Sequence, residues 1–168
     1  FSDSISRVDT ERSRSIEEIP LGPMRELTKA ERGELLFYDG HLSFENWMSC
    51  HSCHTDGHTN GLLADTLGDG TANTPKRVLT LLGGRDANPW AWNGESRELH
   101  DQITKSLKNT MHGKALPLTQ VTDIVSFLHT LPPAPPLLPA TDDSFDRELR
   151  GQGELVFEHA GCVRCHVP

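Results

Sequence analysis

The sequence has no long apolar run, few aromatic residues and no excess of basic residues. No stretch approaches the ~18 consecutive apolar residues that a membrane-spanning helix needs. Lysine and arginine number 16 against 24 aspartates and glutamates, giving a formal net charge of -8. An acidic surface repels phosphate, which argues against nucleic acid and anionic lipid and favours basic docking partners. At 168 residues, the chain is long enough for one ordinary domain with smaller additions.

Cysteine is also scarce, but its placement is the most informative feature of the chain. The four cysteines all lie in two strings of the form C-x-x-C-H. The first string is CHSCH at 50–54, and the second is CVRCH at 162–166. Two copies of so rare a pattern do not arise by chance, and the pattern is the attachment signal for c-type haem.

The spacing within each string suits one porphyrin. One helical turn brings two thiols to the two vinyl groups of the ring and places the next imidazole beneath the iron. We therefore expect Cys50 and Cys53 to fix a haem covalently. His54 is expected to be the proximal iron ligand, with its other ring nitrogen donating to a backbone carbonyl. The same roles are expected, for a second haem, of Cys162, Cys165 and His166.

Two other uses of the cysteines compete with haem. Cys50, Cys53, His54 and His58 carry atoms that bind zinc, but the pairs lack the usual spacer of about a dozen residues. The second string would moreover be short of zinc ligands. A disulfide framework suits an oxidising compartment, but it does not require the two histidines. Covalent haem accounts for all of these residues together.

The opposite face of the first iron needs its own ligand. Met111 is the first choice, because a small cytochrome c module commonly takes a methionine from the loop before its last helix. His112 is the second choice, since imidazole also binds haem iron well, while His58 lies too near the ring edge to reach over it easily. An open position is the remaining option. A six-coordinate iron suits electron transfer, whereas an open iron admits peroxide, with His112 as a weak candidate for the acid–base catalyst.

The hydrophobic pattern predicts a mainly α-helical chain with long irregular loops. Residues 1–24 alternate apolar and polar side chains about a polar turn, which indicates a short β-hairpin or an extended leader. Thr28 and Glu31 fit a capping box that begins a helix over 29–38. In that helix, Gly33 is expected to permit close approach of a later helix.

Apolar residues at helical spacing predict the later helices. Their expected ranges are 96–109, 119–131 with Thr119 as the cap, and 144–158. Between the first string and these helices, residues 58–94 are rich in Gly, Asn, Asp and Thr, which predicts a long loop wrapped around something.

An internal repeat and a proline-rich segment divide the chain. GELLF at 33–37 returns as GELVF at 153–157, each followed by a loop and a C-x-x-C-H string. The segment LPPAPPLLPA cannot continue a helix and is typical of an extended linker. We expect a hairpin or leader over 1–24, a first cytochrome c domain over 25–131, a linker over 132–143 and the start of a second cytochrome c domain over 144–168. The chain is expected to be a fragment of a longer polypeptide.

Several longer motifs carry a family resemblance. RGELLFYDGHLSFENWMSCHSCHTDGH, NTPKRVLTLLGG, PWAWNG and TMHG occur in this order. In order and spacing they resemble the bacterial di-haem cytochrome c peroxidase and MauG superfamily over residues 25–168. The leader FSDSISRVDTERSRSIEEIPLG resembles a half-repeat of YVTN-type β-propellers, which points to the propeller-linked branch. The resemblance implies two cytochrome c-like domains, each with one covalent haem, in the periplasm.

The residue roles of that family carry over unevenly. Trp92 corresponds to the tryptophan of a W-D-G motif that lies between the two haems, although Asn93 replaces the aspartate. The histidine that ligates the first haem in the peroxidases is missing, since Thr71 and Ala72 precede NTP. The distal glutamate is also missing from the loop that holds Met111.

These departures favour electron transfer over catalysis. The expected function is that of a c-type di-haem cytochrome that moves electrons within a larger redox protein. Its partners would be a redox protein or the second haem domain. The alternative is a di-haem peroxidase or MauG-like oxidase that acts on hydrogen peroxide. Because thioether haem is assembled outside the cytoplasm, a periplasmic or exported protein is expected.

Overall fold

The computed structural model describes residues 4–23, 25–67, 69–136, 143–164 and 166. The chain divides into two compact units, Phe1–Pro133 and Ala134–Pro168. The strands are β1 (Ser4–Asp9), β2 (Arg14–Pro20), β3 (Leu63–Ala64) and β4 (Lys76–Arg77). The α-helices are α1 (Lys29–Tyr38), α2 (Cys50–Cys53), α3 (Leu99–Lys105), α4 (Leu118–Leu128) and α5 (Ser144–His159). The described chain is thus mainly helical with short β-hairpins, in agreement with the predicted class.

The N-terminal residues form the β-hairpin and not the extended leader. β1 and β2 pair antiparallel, with Ser4 opposite Pro20 and Asp9 opposite Arg14. The Asp9 carboxylate accepts the backbone N–H groups of Glu11 and Arg12, each at 3.1 Å, which fixes the polar turn. The apolar side chains of this ribbon remain exposed, and they are Ile5, Val8, Ile16 and Ile19.

α1 begins where the sequence predicts. The Thr28 hydroxyl accepts the Glu31 N–H at 3.3 Å, and the Glu31 carboxylate accepts the Thr28 N–H at 2.9 Å. Both halves of the capping box are therefore present. The Arg25 guanidinium also pairs with the Glu31 carboxylate, so the pKa of Glu31 is lowered to about 2 by Arg25 and by the Thr28 bonds.

The core of the first unit forms where α1 packs on α4. Gly33 makes this packing possible, because a Cβ there would lie 1.9 Å from the Asp123 carbonyl oxygen. One turn further along α1, the ring of Phe37 lies 5.2 Å from that of Phe127. The close approach and the aromatic contact confirm the predicted crossing.

α3 is shorter than predicted, because the helix changes type. The α-helix covers Leu99–Lys105 and continues as one π-helical turn, Ser106–Thr110. This wider turn keeps Leu107 buried and ends directly before Met111. The predicted range 96–109 was therefore close to the right length. It did not include the change to a π-helical turn that positions Met111.

The bounds predicted for α4 were wrong at both ends. The helix begins at Leu118 after Pro117, whose carbonyl accepts the N–H groups of Gln120 and Val121, so Thr119 is not its cap. At the other end, the Thr130 N–H bonds to the Phe127 carbonyl at 2.8 Å. This tighter bond to the third residue back ends the helix at Leu128, three residues before the predicted end.

The long segment after the first string is mostly irregular, as predicted, but contains one small sheet. β3 pairs antiparallel with β4, with Leu63 opposite Arg77 and Ala64 opposite Lys76. Further along, Trp90 and Ser96 form an isolated bridge. These pairings fold the segment back on itself beside the first string.

The second unit contains α5 and a 3-10 turn, Cys162–Arg164. The Asp143 carboxylate caps α5 by accepting the Asp146 N–H at 2.8 Å. The predicted range 144–158 is confirmed to within one residue. The assignment of this unit to a second cytochrome c domain stays a prediction, and residues 137–142 of the predicted linker lie outside the described part. Among the described helices, none has the length and apolar content to cross a membrane.

Candidate functional site

The first C-x-x-C-H string forms a single helical turn. The His54 N–H bonds to the Cys50 carbonyl at 2.9 Å, which closes the turn. At its start, the Ser49 N–H donates to the Ser52 hydroxyl at 3.0 Å. Cys50 and Cys53, three residues apart on this turn, have free thiols. Burial raises the pKa of Cys50 to about 11 and also raises the pKa of Cys53, so both are thiols at neutral pH.

His54 is held by a carbonyl from the wrapping segment. Its Nδ1 lies 2.9 Å from the Leu79 oxygen. Burial lowers the pKa of His54, so the ring is neutral at neutral pH and Nδ1–H is the donor in this bond. Nε2 is then the nitrogen with a free lone pair. A carbonyl that fixes the tautomer in this way is the usual partner of a metal-binding histidine.

Exposed leucines lie on the segment that follows the string and is hydrogen-bonded to it. Leu62 and Leu63 are each 64% exposed, and the Val78 N–H bonds to the Leu62 carbonyl at 3.0 Å. Leu79, which supplies the carbonyl to His54, has an exposed side chain as well. Two free thiols, an oriented neutral imidazole and uncovered apolar side chains are a donor set that fits a covalent, apolar porphyrin.

Met111 and His112 are adjacent in sequence but lie in different environments. Met111 is only 4% exposed and belongs to the apolar core against which Cys50 also packs. The Met111 carbonyl accepts the Phe44 N–H at 2.9 Å, which joins its loop to the loop before the string. His112 is exposed, with a positive φ of 49°.

His112 also lines two cavities in the described part of the chain. One is a cavity of about 520 Å³ between the loops at 41–46 and 112–116. The other, of about 340 Å³, is lined by residues that include Leu67, Ala72 and Lys108. Solvent or a small solute can therefore reach the His112 imidazole, which directly follows Met111 in the chain.

The two tryptophans of the PWAWNG motif differ in exposure. Trp92 is 53% exposed, and its indole N–H donates to the Arg77 carbonyl at 3.2 Å. Trp90 is half-buried and donates to the Gly84 carbonyl at 2.9 Å. The Trp92 ring is thus fixed at its nitrogen while its surface remains available to another group.

Two further histidines near the string, His58 and His41, have local partners. His58 Nδ1 lies 2.6 Å from the Thr80 hydroxyl, and exposed His41 pairs with Asp39 at 2.7 Å. Within the described residues, no group of three or more His, Cys, Asp and Glu side chains is placed to hold a metal ion. The alternative zinc set of Cys50, Cys53, His54 and His58 is therefore not gathered around one point.

The second string is described only in part. Cys162 has an exposed free thiol, and the His166 N–H bonds to the Cys162 carbonyl at 2.9 Å, the same closure as in the first string. The rings of Phe157 and His166 lie 6.3 Å apart. Cys165, the expected second thiol, lies outside the described residues.

One cluster beside the first string was missed by sequence reasoning. The ring of Tyr38 stacks on that of His51 with centroids 4.7 Å apart. Asp56 accepts from both side chains, at 3.4 Å from the Tyr38 hydroxyl and 3.2 Å from His51 Nε2. Burial, followed by the Asp56 charge, raises the pKa of Tyr38, which remains a phenol at neutral pH. The available signal was a histidine within the string and an aromatic residue at the end of α1.

Comparison with known proteins gives a family, a curated relative and a solved structure of similar fold. The sequence model of the family described as di-haem cytochrome c peroxidase matches residues 27–132. The cytochrome c551 peroxidase of Nitrosomonas europaea is 28% identical over 97 residues, which are 54% of this chain and 29% of that protein. The chain therefore spans less than a third of this curated relative.

A solved structure of hydrazine synthase from Kuenenia stuttgartiensis shares the fold. The TM-score is 0.58 at 23% sequence identity, and the match covers 97% of this chain and 59% of that one. At this identity the similarity is one of fold alone.

Proposed function

This chain belongs to the di-haem cytochrome c peroxidase family, and on that premise we propose that it moves electrons through covalently bound haems within a larger redox protein. The strongest support is the first string. Cys50 and Cys53 offer free thiols on one turn, while the Leu79 carbonyl leaves Nε2 of His54 free for iron. When bound, the haem supplies an iron that cycles between the ferrous and ferric states.

The individual roles follow from these positions. Cys50 and Cys53 anchor the porphyrin through thioether bonds, and His54 is the proximal ligand. The Leu79 carbonyl holds the imidazole in the tautomer that ligation requires. Equivalent roles for a second haem fall to Cys162, Cys165 and His166.

Met111 is the sixth ligand in this proposal. Its side chain is buried in the core against which Cys50 also packs, so water has little access to it. A thioether ligand raises the reduction potential of the iron and closes it to peroxide. Trp92, exposed and fixed by the Arg77 carbonyl, is proposed as the electron route toward the second haem.

A peroxidase or MauG-like oxidase is the second candidate. His112 favours it, because this exposed imidazole lies beside both cavities and next to the proposed ligand. Proton transfer to and from hydrogen peroxide requires an acid–base group in such a place. In that case Met111 does not bind the iron, the sixth position is open, and His112 performs the proton transfers.

We place the protein in the periplasm or outside the cell, where thioether haem is assembled. The net charge of -8 favours a basic redox protein as the external partner. The exposed apolar ribbon of β1 and β2 fits the proposal that a propeller precedes the cytochrome unit in the full protein.

Spectra of the holoprotein test this function. A pyridine haemochrome assay should report c-type haem, and the resting ferric spectrum should contain a low-spin component with a methionine–iron charge-transfer band. Met111→Ala should abolish that band and convert the first haem to high spin. The control is Met48→Ala, at a partly buried methionine beside the same core, which should keep the band. A first haem that is high-spin and five-coordinate in the unmodified protein would instead support the peroxidase candidate.

A further inference from the structure

We propose that the cavity of about 340 Å³ beside the Met111 loop is a binding site for a small carboxylate, with the Lys108 ammonium as its counter-charge. The carboxylate belongs either to a free organic acid or to a propionate of the first haem. The free acid goes beyond the proposed function and does not depend on it. The propionate rests on the haem that the proposed function requires.

The lining of this cavity combines one lysine with apolar side chains. Lys108 is the only lysine or arginine in the lining, and no Asp or Glu takes part among the described residues. The Asn109 amide adds two N–H donors beside it. Leu67 and Ala72 contribute apolar wall. Such a lining suits an anion that carries a short apolar portion.

Carboxylates on neighbouring segments are already paired with other lysines. Asp69 accepts from Lys76, and Glu95 pairs with Lys105 at 3.3 Å. In the described part of the chain no ion pair involves Lys108, which is exposed within the π-helical turn. An ammonium that lines a cavity without a carboxylate from the protein is available to one from a ligand.

The surrounding segment is locally basic in an acidic chain. Residues 105–114 contain three lysines and no Asp or Glu, whereas the whole chain has a net charge of -8. A local cluster of one sign of charge concentrates the opposite ion at a concave surface. The cavity therefore attracts anions although the protein as a whole repels them.

Hydrogen bonds hold the two walls of the cavity together. The Thr110 hydroxyl donates to the Thr66 carbonyl at 2.9 Å, which ties the π-helical turn to the loop opposite. Within that loop, Asp65 accepts the backbone N–H groups of Leu67 and Asn73. The site is therefore largely pre-formed, so little conformational freedom is lost when a ligand enters.

The size and position of the cavity define its ligand and its effect. Its volume lies at the lower end of the range for small-molecule sites, which suits a carboxylic acid of about four carbons. Among the described residues that line it, none belongs to the string at 50–54, but His112 does line it, directly after Met111. A carboxylate bound here adds negative charge near the proposed sixth ligand, which lowers the reduction potential of the first haem.

The free-acid source is tested by ligand-observed NMR titration of the ferrous, full-length holoprotein with sodium butyrate, at an ionic strength held constant with sodium chloride. Butyrate should bind saturably. Butanamide, which has the same shape without the charge, should bind about tenfold more weakly or worse. Lys108→Gln should weaken butyrate binding by a similar factor, whereas Lys108→Arg should retain it.

The matched control is Lys105→Gln. Lys105 lies one turn earlier, is paired with Glu95 and does not line the cavity. Its removal takes the same charge from the same segment, so it should change butyrate binding by less than about twofold. Because the Lys105 and Lys108 side chains are not part of the buried core, both variants should keep the melting temperature of the parent protein.

Resonance Raman spectroscopy of the same holoproteins tests the haem source. With a propionate in the cavity, butyrate finds no site. The propionate bending band should then move in Lys108→Gln and stay in place in Lys105→Gln. Either the butyrate result or the Raman result supports a carboxylate site at Lys108, and together they identify where the carboxylate comes from.

Three results would overturn the proposal. The first is neither saturable butyrate binding nor a Raman shift. The second is equal weakening of butyrate by the two Lys→Gln variants, which would show only general electrostatic attraction. The third is butanamide that binds as tightly as butyrate, which would show an apolar cavity without recognition of the charge. All three leave the haemochrome assay of the proposed function unaffected, whereas a protein without c-type haem would defeat that function and leave the butyrate titration valid.

Discussion

Arg32 on α1 and Asp123 on α4 form a two-pronged ion pair across the helix crossing. Arg32 Nε lies 2.8 Å from Asp123 Oδ2, and Arg32 Nη2 lies 3.0 Å from Asp123 Oδ1. The carboxylate is buried, with Asp123 only 7% exposed, while the guanidinium reaches solvent. The pair sits one residue from Gly33, where the two backbones come closest. It therefore fixes the register of the helices that form the core.

Loss of the Asp123 charge should destabilise the first unit. Asp123→Asn removes the negative charge and replaces one of the two acceptor oxygens with an NH₂ donor that faces the guanidinium, at a contact that is buried on the Asp123 side. The melting temperature of the holoprotein, followed by circular dichroism, should fall by several degrees. Asp86→Asn is the control, since Asp86 faces Arg85 at 4.0 Å on an exposed surface and should shift the melting temperature very little. Equal shifts in the two variants would contradict a special role for the crossing pair.

A methyl group at Gly33 should separate the two helices. In Gly33→Ala the new Cβ would meet the Asp123 carbonyl at 1.9 Å, and a backbone atom cannot move aside alone. We expect a loss of about 3 kcal/mol or more in the free energy of unfolding, measured with urea. Gly151→Ala in α5, where no atom lies within 4 Å of the added Cβ, should instead raise helix stability by about 0.5–1 kcal/mol. A Gly33→Ala protein as stable as the parent would refute the close crossing.

The capping box of α1 should give the stability a defined pH dependence. The Arg25 and Thr28 bonds hold the pKa of Glu31 at about 2, below the ordinary value of 4.5. A lowered carboxyl pKa stabilises the folded state above the unfolded pKa, and the contribution is lost as the pH falls from 4.5 toward 2. Glu31→Gln should therefore lower the melting temperature at neutral pH, and the difference from the parent should shrink below pH 4.5.

The control for that prediction is Glu34→Gln, on the same helix but outside the capping box. Its melting temperature at neutral pH should stay close to that of the parent protein, because the capping-box bonds remain intact. A Glu31→Gln difference that is constant with pH would rule out the Arg25 and Thr28 bonds as its source.

The thiols of the first string should be separable by haemochrome spectroscopy. Cys53→Ala is expected to leave one vinyl group unreacted, so the pyridine haemochrome band of that haem should move to longer wavelength. In Cys162→Ala the haemochrome band of the second haem should move instead. The methionine–iron band assigned to Met111 should persist. If Cys53→Ala leaves the whole haemochrome spectrum unchanged, Cys53 does not carry a thioether.

Local signals in the sequence predicted much of the helical frame. The Thr28 and Glu31 pair is a short-range motif whose hydrogen bonds form within one turn, so it could be recognised without the tertiary fold. The glycine at position 33 indicated a close approach by another helix, because a residue without a Cβ leaves room for a second backbone. The end of α4 was less predictable, because the tight bond from Thr130 to Phe127 competes with helix continuation and leaves no clear pattern.

Contacts between distant segments could not be predicted in this way. The Leu79 carbonyl lies 25 residues after His54, and nothing in the intervening loop singles it out. The Tyr38 cluster depends on the positive φ of Asp56, a residue type that adopts this conformation only at particular turns. The π-helical turn before Met111 likewise arises from packing of the whole helix, since apolar spacing alone fits an ordinary α-helix.

The backbone of His112, at a φ of 49°, has a further consequence. Left-handed geometry is costly for most side chains but mild for asparagine, histidine and glycine. An asparagine at this site would keep the bend while removing the imidazole, whereas a valine would disturb the bend as well. Backbone conformation and side-chain chemistry can thus be varied independently at position 112, directly after the buried Met111.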